Sequence, residues 1–322
     1  MAQFDLPLDQ LIAYAPAIAE PADFDAFWQR SLDDRIHGPL DASFNLFDAA
    51  DLPLVRVHDA SFAGFGGQTI RAWMLEPAGN DRRLPCVVSY VGYGGGRSLP
   101  VAHVAPVAAG FAHFVMDTRG QGSSWSPGDT PDDHAADPQF PGFMTRGILS
   151  PDTYYYRRLI VDAVRAVEAA AAHLGVDPQR VAVRGSSQGG GLAMAVAGLA
   201  PARVRLMAAD VPFLCHFRRA IEITDAQPYA EIAAYLRCHR HRVAQVMATL
   251  AYFDGCSFAS RVRARCLFSV ALMDTVCPPS TVFAAYNRVP APKDIRVYPY
   301  NQHEGGDVFQ TMEWLRFFRQ NL

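Results

Sequence analysis

The chain has 322 residues, half of them hydrophobic and 19% charged, as expected for a folded protein with a large buried interior. A net charge of −3 and a pI near 6.4 give no electrostatic basis for binding nucleic acid or an anionic membrane. No apolar run approaches the ~18 residues that a bilayer span requires. The opening MAQFDLPLDQ lacks the basic and apolar regions of a secretory leader, so a cytoplasmic protein is expected.

Up to about Pro53 the chain reads as helix and loop, with apolar residues at helical spacing in ADFDAFW, residues 22–28. Leu54–His58 and Thr69–Leu75 alternate like strands across a glycine-bearing connection. Pro85–Val91 and Ala112–Met116 are apolar throughout, as strands covered on both faces of a parallel sheet are. Tyr155–Leu174 carries one apolar face of a long helix. Val181–Val183, Arg205–Ala209, Cys266–Leu272 and Ile295–Tyr298 continue the strands, and a last helix spans Asp307–Asn321. This alternation predicts one α/β domain over 1–322, a mostly parallel sheet with helices on both faces. Residues 212–258 break the rhythm: helical, aromatic and rich in His and Arg, they read as an insertion serving as a lid or an assembly surface. With residues 1–53 as an N-terminal helical extension, that completes the expected organisation.

RVAVRGSSQGGGLAMA holds Gly185-Ser186-Ser187-Gln188-Gly189, a G-x-S-x-G motif directly after a strand and before a helix. That context makes Ser187 the candidate nucleophile, at a helix N-terminus that favours developing negative charge. Ser186 takes the x position and is expected to point elsewhere. A serine hydroxyl needs a base, and in this fold an acid and then a histidine follow the serine, each just beyond a later strand. Asp274, after LFSVALM, and His303, after IRVYPY, meet that order, and no other histidine lies beyond Asp274. Backbone N–H groups of Gln188 and Tyr93, the latter in SYVGYGGGRS, are the candidate oxyanion donors. Tyr93, Trp125 and Pro228 are the candidates for the substrate pocket.

Other signals are weaker. The glycine loop fails G-x-G-x-x-G because position 97 is arginine. Cys238-His239-Arg240-His241 would place its histidines about 200° apart on a helix, so no metal and no cofactor are expected. Asp117 and Arg119 in DTRGQG read as ties between loops. The six cysteines, Cys86, Cys215, Cys238, Cys256, Cys266 and Cys277, form no Cys-x-x-Cys pair and read as buried free thiols.

VGYGGGR, HFVMDTRGQGSS, GFMTRGILSPDTYYYRR, RGSSQGGG, DVPFLCHFRRAIEITD, LMDTVCPPSTVFAAYN and YPYNQHEGG occur in that order. Together they resemble successive blocks of the acetyl xylan esterase and cephalosporin-C deacetylase family, carbohydrate esterase family 7 of the α/β hydrolases. The resemblance implies a triad on Ser187, Asp274 and His303, and an oxyanion hole from Tyr93 and Gln188. It implies release of acetyl groups from small substrates, xylo-oligosaccharides and cephalosporin C among them, without a cofactor. It also implies a cytoplasmic homo-oligomer, a hexamer whose sites open into a central cavity. The chain departs from the family pattern at Ser98 and Ser186, where glycine is more usual. Two alternatives stand beside this reading: another small-ester serine hydrolase of the same fold, and a non-catalytic hydrolase-fold binding protein.

Overall fold

The computed structural model describes residues 3–49, 51–132, 137 and 139–322. Three short helices come first, α1 (Leu8–Ile12), α2 (Phe24–Ser31) and α3 (Asp34–His37). Nine strands follow along the chain: β1 (Ser43–Phe47), β2 (Val55–Ala63), β3 (Thr69–Pro77), β4 (Leu84–Tyr90), β5 (Ala112–Met116), β6 (Val176–Ser186), β7 (Leu206–Asp210), β8 (Arg265–Ala271) and β9 (Lys293–Tyr298). Between β4 and β5 lies α4 (Val104–Ala108), between β5 and β6 α5 (Tyr155–Ala172), and between β6 and β7 α6 (Gln188–Leu199). The β7–β8 connection carries α7 (Phe217–Ile223), α8 (Tyr229–Cys238), α9 (Val243–Leu250) and α10 (Gly255–Ala259). Helices α11 (Pro279–Arg288) and α12 (Asp307–Asn321) flank β9. No helix among the described residues is long and apolar enough to cross a membrane.

The strands form one sheet in the order β1-β2-β3-β5-β4-β6-β7-β8-β9. The pairs from β1 to β5 are antiparallel, and every pair from β5–β4 to β8–β9 is parallel. β1 corrects the expectation of only helix and loop before Pro53. Its sequence SFNLF is short and carries Asn45, and its outer residues are exposed, Leu46 at 74%. An edge strand of this kind has no buried face to write an apolar alternation into the sequence.

Strand side chains alternate between the two faces. Val88, Val183, Met207 and Phe268 join a core with α5 and α6. Their neighbours Val87, Ala182, Leu206 and Leu267 pack on Trp314, Phe317 and Phe318 of α12. Both faces are therefore covered, which is why the central strands are apolar throughout. The chain leaves β4 toward β5 on one side and returns to β6 on the other. The loops at the carboxyl ends of β4 and β6 thus part at a switch point, where open α/β sheets place ligands.

Candidate active site

The β6–α6 turn is dictated by space. Ser187 sits at φ 57° and ψ −122°, in the left-handed half of conformational space that side chains avoid. A Cβ on Gly185 would lie 2.2 Å from the Gly189 carbonyl carbon, and one on Gly189 would lie 2.1 Å from the Tyr90 oxygen. The motif's glycines are therefore steric requirements of the turn. Backbone bonds pin the strained residue: Ser187 N–H donates to Asp210 O at 2.9 Å, and its carbonyl accepts from Gly191 N at 3.1 Å and Phe213 N at 2.9 Å. Holding such a conformation costs roughly 1–3 kcal/mol, supplied by this surrounding structure.

Asp274 follows β8 and is fully buried. Its Oδ1 accepts the backbone N–H groups of Val276 (2.8 Å) and Cys277 (2.9 Å). Its Oδ2 lies 2.8 Å from Nδ1 of His303, on the loop between β9 and α12. The His303 ring keeps 32% of its surface open, so its far edge faces the cavity. That cavity, about 1010 Å³, is bordered by Ser187 and His303 and also by Tyr93, Trp125 and Pro228. Ser186 borders it too.

The glycine loop after β4 faces Ser187 across the switch point. Among the described residues, neither the Tyr93 nor the Gln188 backbone N–H has a hydrogen-bond partner. Two free donors beside a serine at a helix N-terminus form a place for negative charge. One side chain links the two segments that carry these donors. Gln121 Oε1 accepts Gly94 N–H at 2.7 Å, while its Nε2 donates to Gln188 Oε1 at 3.0 Å. Tyr156 donates to the same Gln188 oxygen, and Gln188 Nε2 donates to Val91 O. Trp125 Nε1 donates to the Tyr93 carbonyl at 2.8 Å.

Three participants were not legible in the sequence. Glu231, on α8, accepts the Tyr93 hydroxyl at 2.6 Å and Met144 N–H at 3.1 Å, joining the β7–β8 connection to the glycine loop. Burial first, then the Glu231 charge, pushes the Tyr93 phenol well up, so it remains a donor. Gln121 lies in DTRGQG, whose Asp117 and Arg119 do tie loops. Asp117 takes backbone N–H groups from Arg97, Thr118, Asp129 and Thr130, and Arg119 pairs with Asp162. The third is Cys277. Its sulfur lies within 4.8 Å of ligand atoms of Asp274 and His303. Burial pushes this thiol well above its usual pKa, so it stays protonated and does not compete as a nucleophile. Ser98 stands at φ 53°, a backbone shape that explains why glycine suits that position.

The acetyl xylan esterase (AXE1) family model matches residues 1–321. An acetyl xylan esterase from Paenibacillus sp. R4 is 41% identical with a TM-score of 0.91, over 98% of this chain and 100% of that one. Acetyl xylan esterase 1 from Thermoanaerobacterium sp. JW/SL YS485 is 32% identical with a TM-score of 0.88, over 98% and 99%. Acetyl esterase Axe7A of Xylanibacter ruminicola is 27% identical over 310 residues, 94% of this chain and 68% of that protein. These likenesses span the sheet, the switch point and the loops that carry the site, and the chain belongs to the acetyl xylan esterase family of α/β hydrolases.

Proposed function

We propose that this acetyl xylan esterase works by a serine acyl-enzyme mechanism on small acetylated substrates, xylo-oligosaccharides and cephalosporin-C-type esters. The reading rests on one observation above others. A strained serine at a helix N-terminus borders the same cavity as a histidine whose Nδ1 is held by a buried carboxylate. His303 takes the Ser187 proton as Oγ attacks the acetyl carbonyl, and the Tyr93 and Gln188 N–H groups hold the oxyanion. Collapse of the tetrahedral intermediate breaks the ester C–O bond while His303 passes its proton to the sugar oxygen. Water then adds to the acetyl-serine with His303 again as base, releasing acetate. General-base assistance of this kind contributes ~10²–10⁴-fold, and one oxyanion donor ~10²–10³-fold.

Two features support small substrates: Tyr93, Trp125 and Pro228 wall the cavity, and α8 is tied to that wall by the Glu231–Tyr93 bond. The free cysteines suit a reducing cytoplasm. Tyr300, Val308, Phe309 and Met312 expose apolar surface around the start of α12, which supports a homo-oligomer, a hexamer by the family resemblance. Acetate release measured over acetylated xylo-oligosaccharides, cephalosporin C, and butyryl and octanoyl esters tests the reading. Rates that fall steeply with acyl length, and fluorophosphonate labelling lost in Ser187→Ala but kept in Ser186→Ala, are the expected results. Labelling that persists in Ser187→Ala removes the mechanism. Light scattering on the purified enzyme reads the assembly, and a monomer removes the hexamer.

A further inference from the structure

Two groups of metal-ligand-type side chains occur among the described residues. Asp274, Cys277 and His303 belong to the active site. The second group, His58, Glu76 and His173, lies at the antiparallel end of the sheet, away from the carboxyl ends of the parallel strands, and nothing in the hydrolytic mechanism uses it.

Three separate elements build it. Strands β2 and β3 pair His58 with Met74 and Arg56 with Glu76, so His58 and Glu76 are diagonal neighbours on one face. Ala60, Phe62, Ala72 and Met74 mark that face as the one packed toward α5. His173 caps the carboxyl end of α5 and closes over the pair. One nitrogen or oxygen atom from each of the three lies within 4.8 Å of the others, and His58 Nε2 is 3.5 Å from Glu76 Oε1. Around a tetrahedral ion with bonds near 2.0–2.1 Å, ligand atoms lie about 3.4 Å apart, so side-chain shifts of about an ångström complete the shell.

The surroundings favour an occupant. Glu76 is 3% exposed. Both ring nitrogens of His58 are shielded from solvent; among the described residues Nδ1 makes no hydrogen bond, a costly arrangement, and Nε2 has only its long approach to Glu76. A Cβ on Gly175 would stand 2.5 Å from Glu76 Oε2 and 3.2 Å from His173 Nδ1, so the glycine leaves room for the carboxylate and the imidazole to converge here. The His173 ring is set edge-on between Phe44 (4.7 Å) and His58 (5.1 Å). Two weak contacts compete. Arg56 Nη1 reaches Glu76 Oε1 at 3.3 Å, and Gly175 N–H reaches His173 Nδ1 at 3.2 Å. The Arg56 side chain is 41% exposed and can turn to solvent.

We propose that His58, Glu76 and His173 form a binding site for a borderline transition-metal ion of the zinc class, with water completing the shell. Two imidazoles and one carboxylate suit zinc, cobalt, nickel or copper and disfavour magnesium and calcium, which take oxygen ligands. The ion ties the antiparallel end of the sheet to the end of α5. Its effect is on stability, with no step in the hydrolysis.

The test uses the full chain, stripped with chelator, exchanged into clean buffer and titrated with Zn²⁺ and then Co²⁺. The expected result is saturable binding to this group, visible d–d absorption of four-coordinate cobalt, and a thermal midpoint that rises with metal. His58→Ala/His173→Ala is expected to weaken binding at least tenfold, in line with losses of about 10–100-fold for lesser changes around metal sites. It also abolishes the thermal shift while leaving acetate release intact. Should that variant fail to fold, Glu76→Gln gives the same readout with the side-chain volume kept. His239→Ala/His241→Ala, an exposed pair with rings 6.5 Å apart, and His303→Ala at the active site should both retain the thermal shift. No saturable binding, or a metal-induced shift undiminished in His58→Ala/His173→Ala or in Glu76→Gln, overturns the proposal.

Discussion

Asp274→Asn isolates the electrostatic role of the buried carboxylate, because the structure dictates how the amide must sit. Oδ1 already accepts two backbone N–H groups, from Val276 and Cys277. An asparagine keeps both bonds only if its carbonyl oxygen takes that position, which turns the NH₂ toward His303 Nδ1. That nitrogen must then accept instead of donate, so the proton moves to Nε2 and the ring can no longer take the Ser187 proton. A comparable substitution in the serine-protease triad lowers kcat ~10⁴-fold, about 5.5 kcal/mol of barrier at 1.36 kcal/mol per decade. KM should change little, since no contact to substrate is removed, and the unfolding midpoint should stay within a few degrees of wild type. Asp274→Ala provides the contrast. It leaves the buried Cys277 N–H unpaired, at about 1–3 kcal/mol, and the part-buried Val276 N–H as well, and should lose stability as well as activity. Initial rates on p-nitrophenyl acetate with parallel thermal melts make the comparison. An amide variant within tenfold of wild-type kcat, or one that loses activity only as it unfolds, would refute the tautomer argument.

The remaining predictions probe the frame around the site. Gly189→Ala places a methyl 2.1 Å from the Tyr90 carbonyl, a backbone atom that cannot swing away. It should cost about 3 kcal/mol or more in denaturant unfolding, and a loss below 1 kcal/mol would mean the turn has slack. Tyr93→Phe removes the donor to Glu231 and the acceptor for Phe143 N–H. About 2 kcal/mol of stability should go, with kcat falling several-fold as the adjoining N–H shifts. An unchanged kcat would show that the Trp125 and Gln121 bonds position the loop without Glu231. His113 is buried between Ser89 and the His103 carbonyl, and burial, then the His103 charge, depresses its pKa from 6.5 to about 3. The unfolded chain therefore binds a proton that the fold refuses. The stability tied to this group is fully present above pH 6.5 and is lost as pH falls toward 3. His113→Gln should flatten the decline over that window, and an unaltered slope would remove His113 from the acid response.

What could be read from the sequence was local, and what could not was set by distance. The continuous apolar runs at β4, β5, β7 and β8 declare strands covered on both faces, and the glycines around Ser187 declare a turn too crowded for other residues. β6 is longer than its apolar centre. It starts at Val176, but Pro178, Gln179 and Arg180 are exposed, and the ladder to β4 skips there between Leu84 and Cys86. Helices α4 and α11 carry no clear sequence signal, because VAPVA holds a proline and α11 starts at Pro279 behind an N-cap Pro278, residues that punctuate loops as often as they start helices. The site shows the same division. Asp274 and His303 follow strands in a recognisable order, so the sequence nominates them. Glu231 reaches Tyr93 across 138 residues, and nothing near either residue marks the other. Cys277 reads correctly as a buried thiol, whereas Cys238, at the polar end of α8, is exposed, and only the fold shows that Cys277 lies beside Asp274 and His303. His58, Glu76 and His173 are three unremarkable residues in two strands and a helix end until sheet register and the α5 crossover bring them together. A motif records what one turn of chain requires, whereas a partner chosen by packing appears only once the sheet has set the distances.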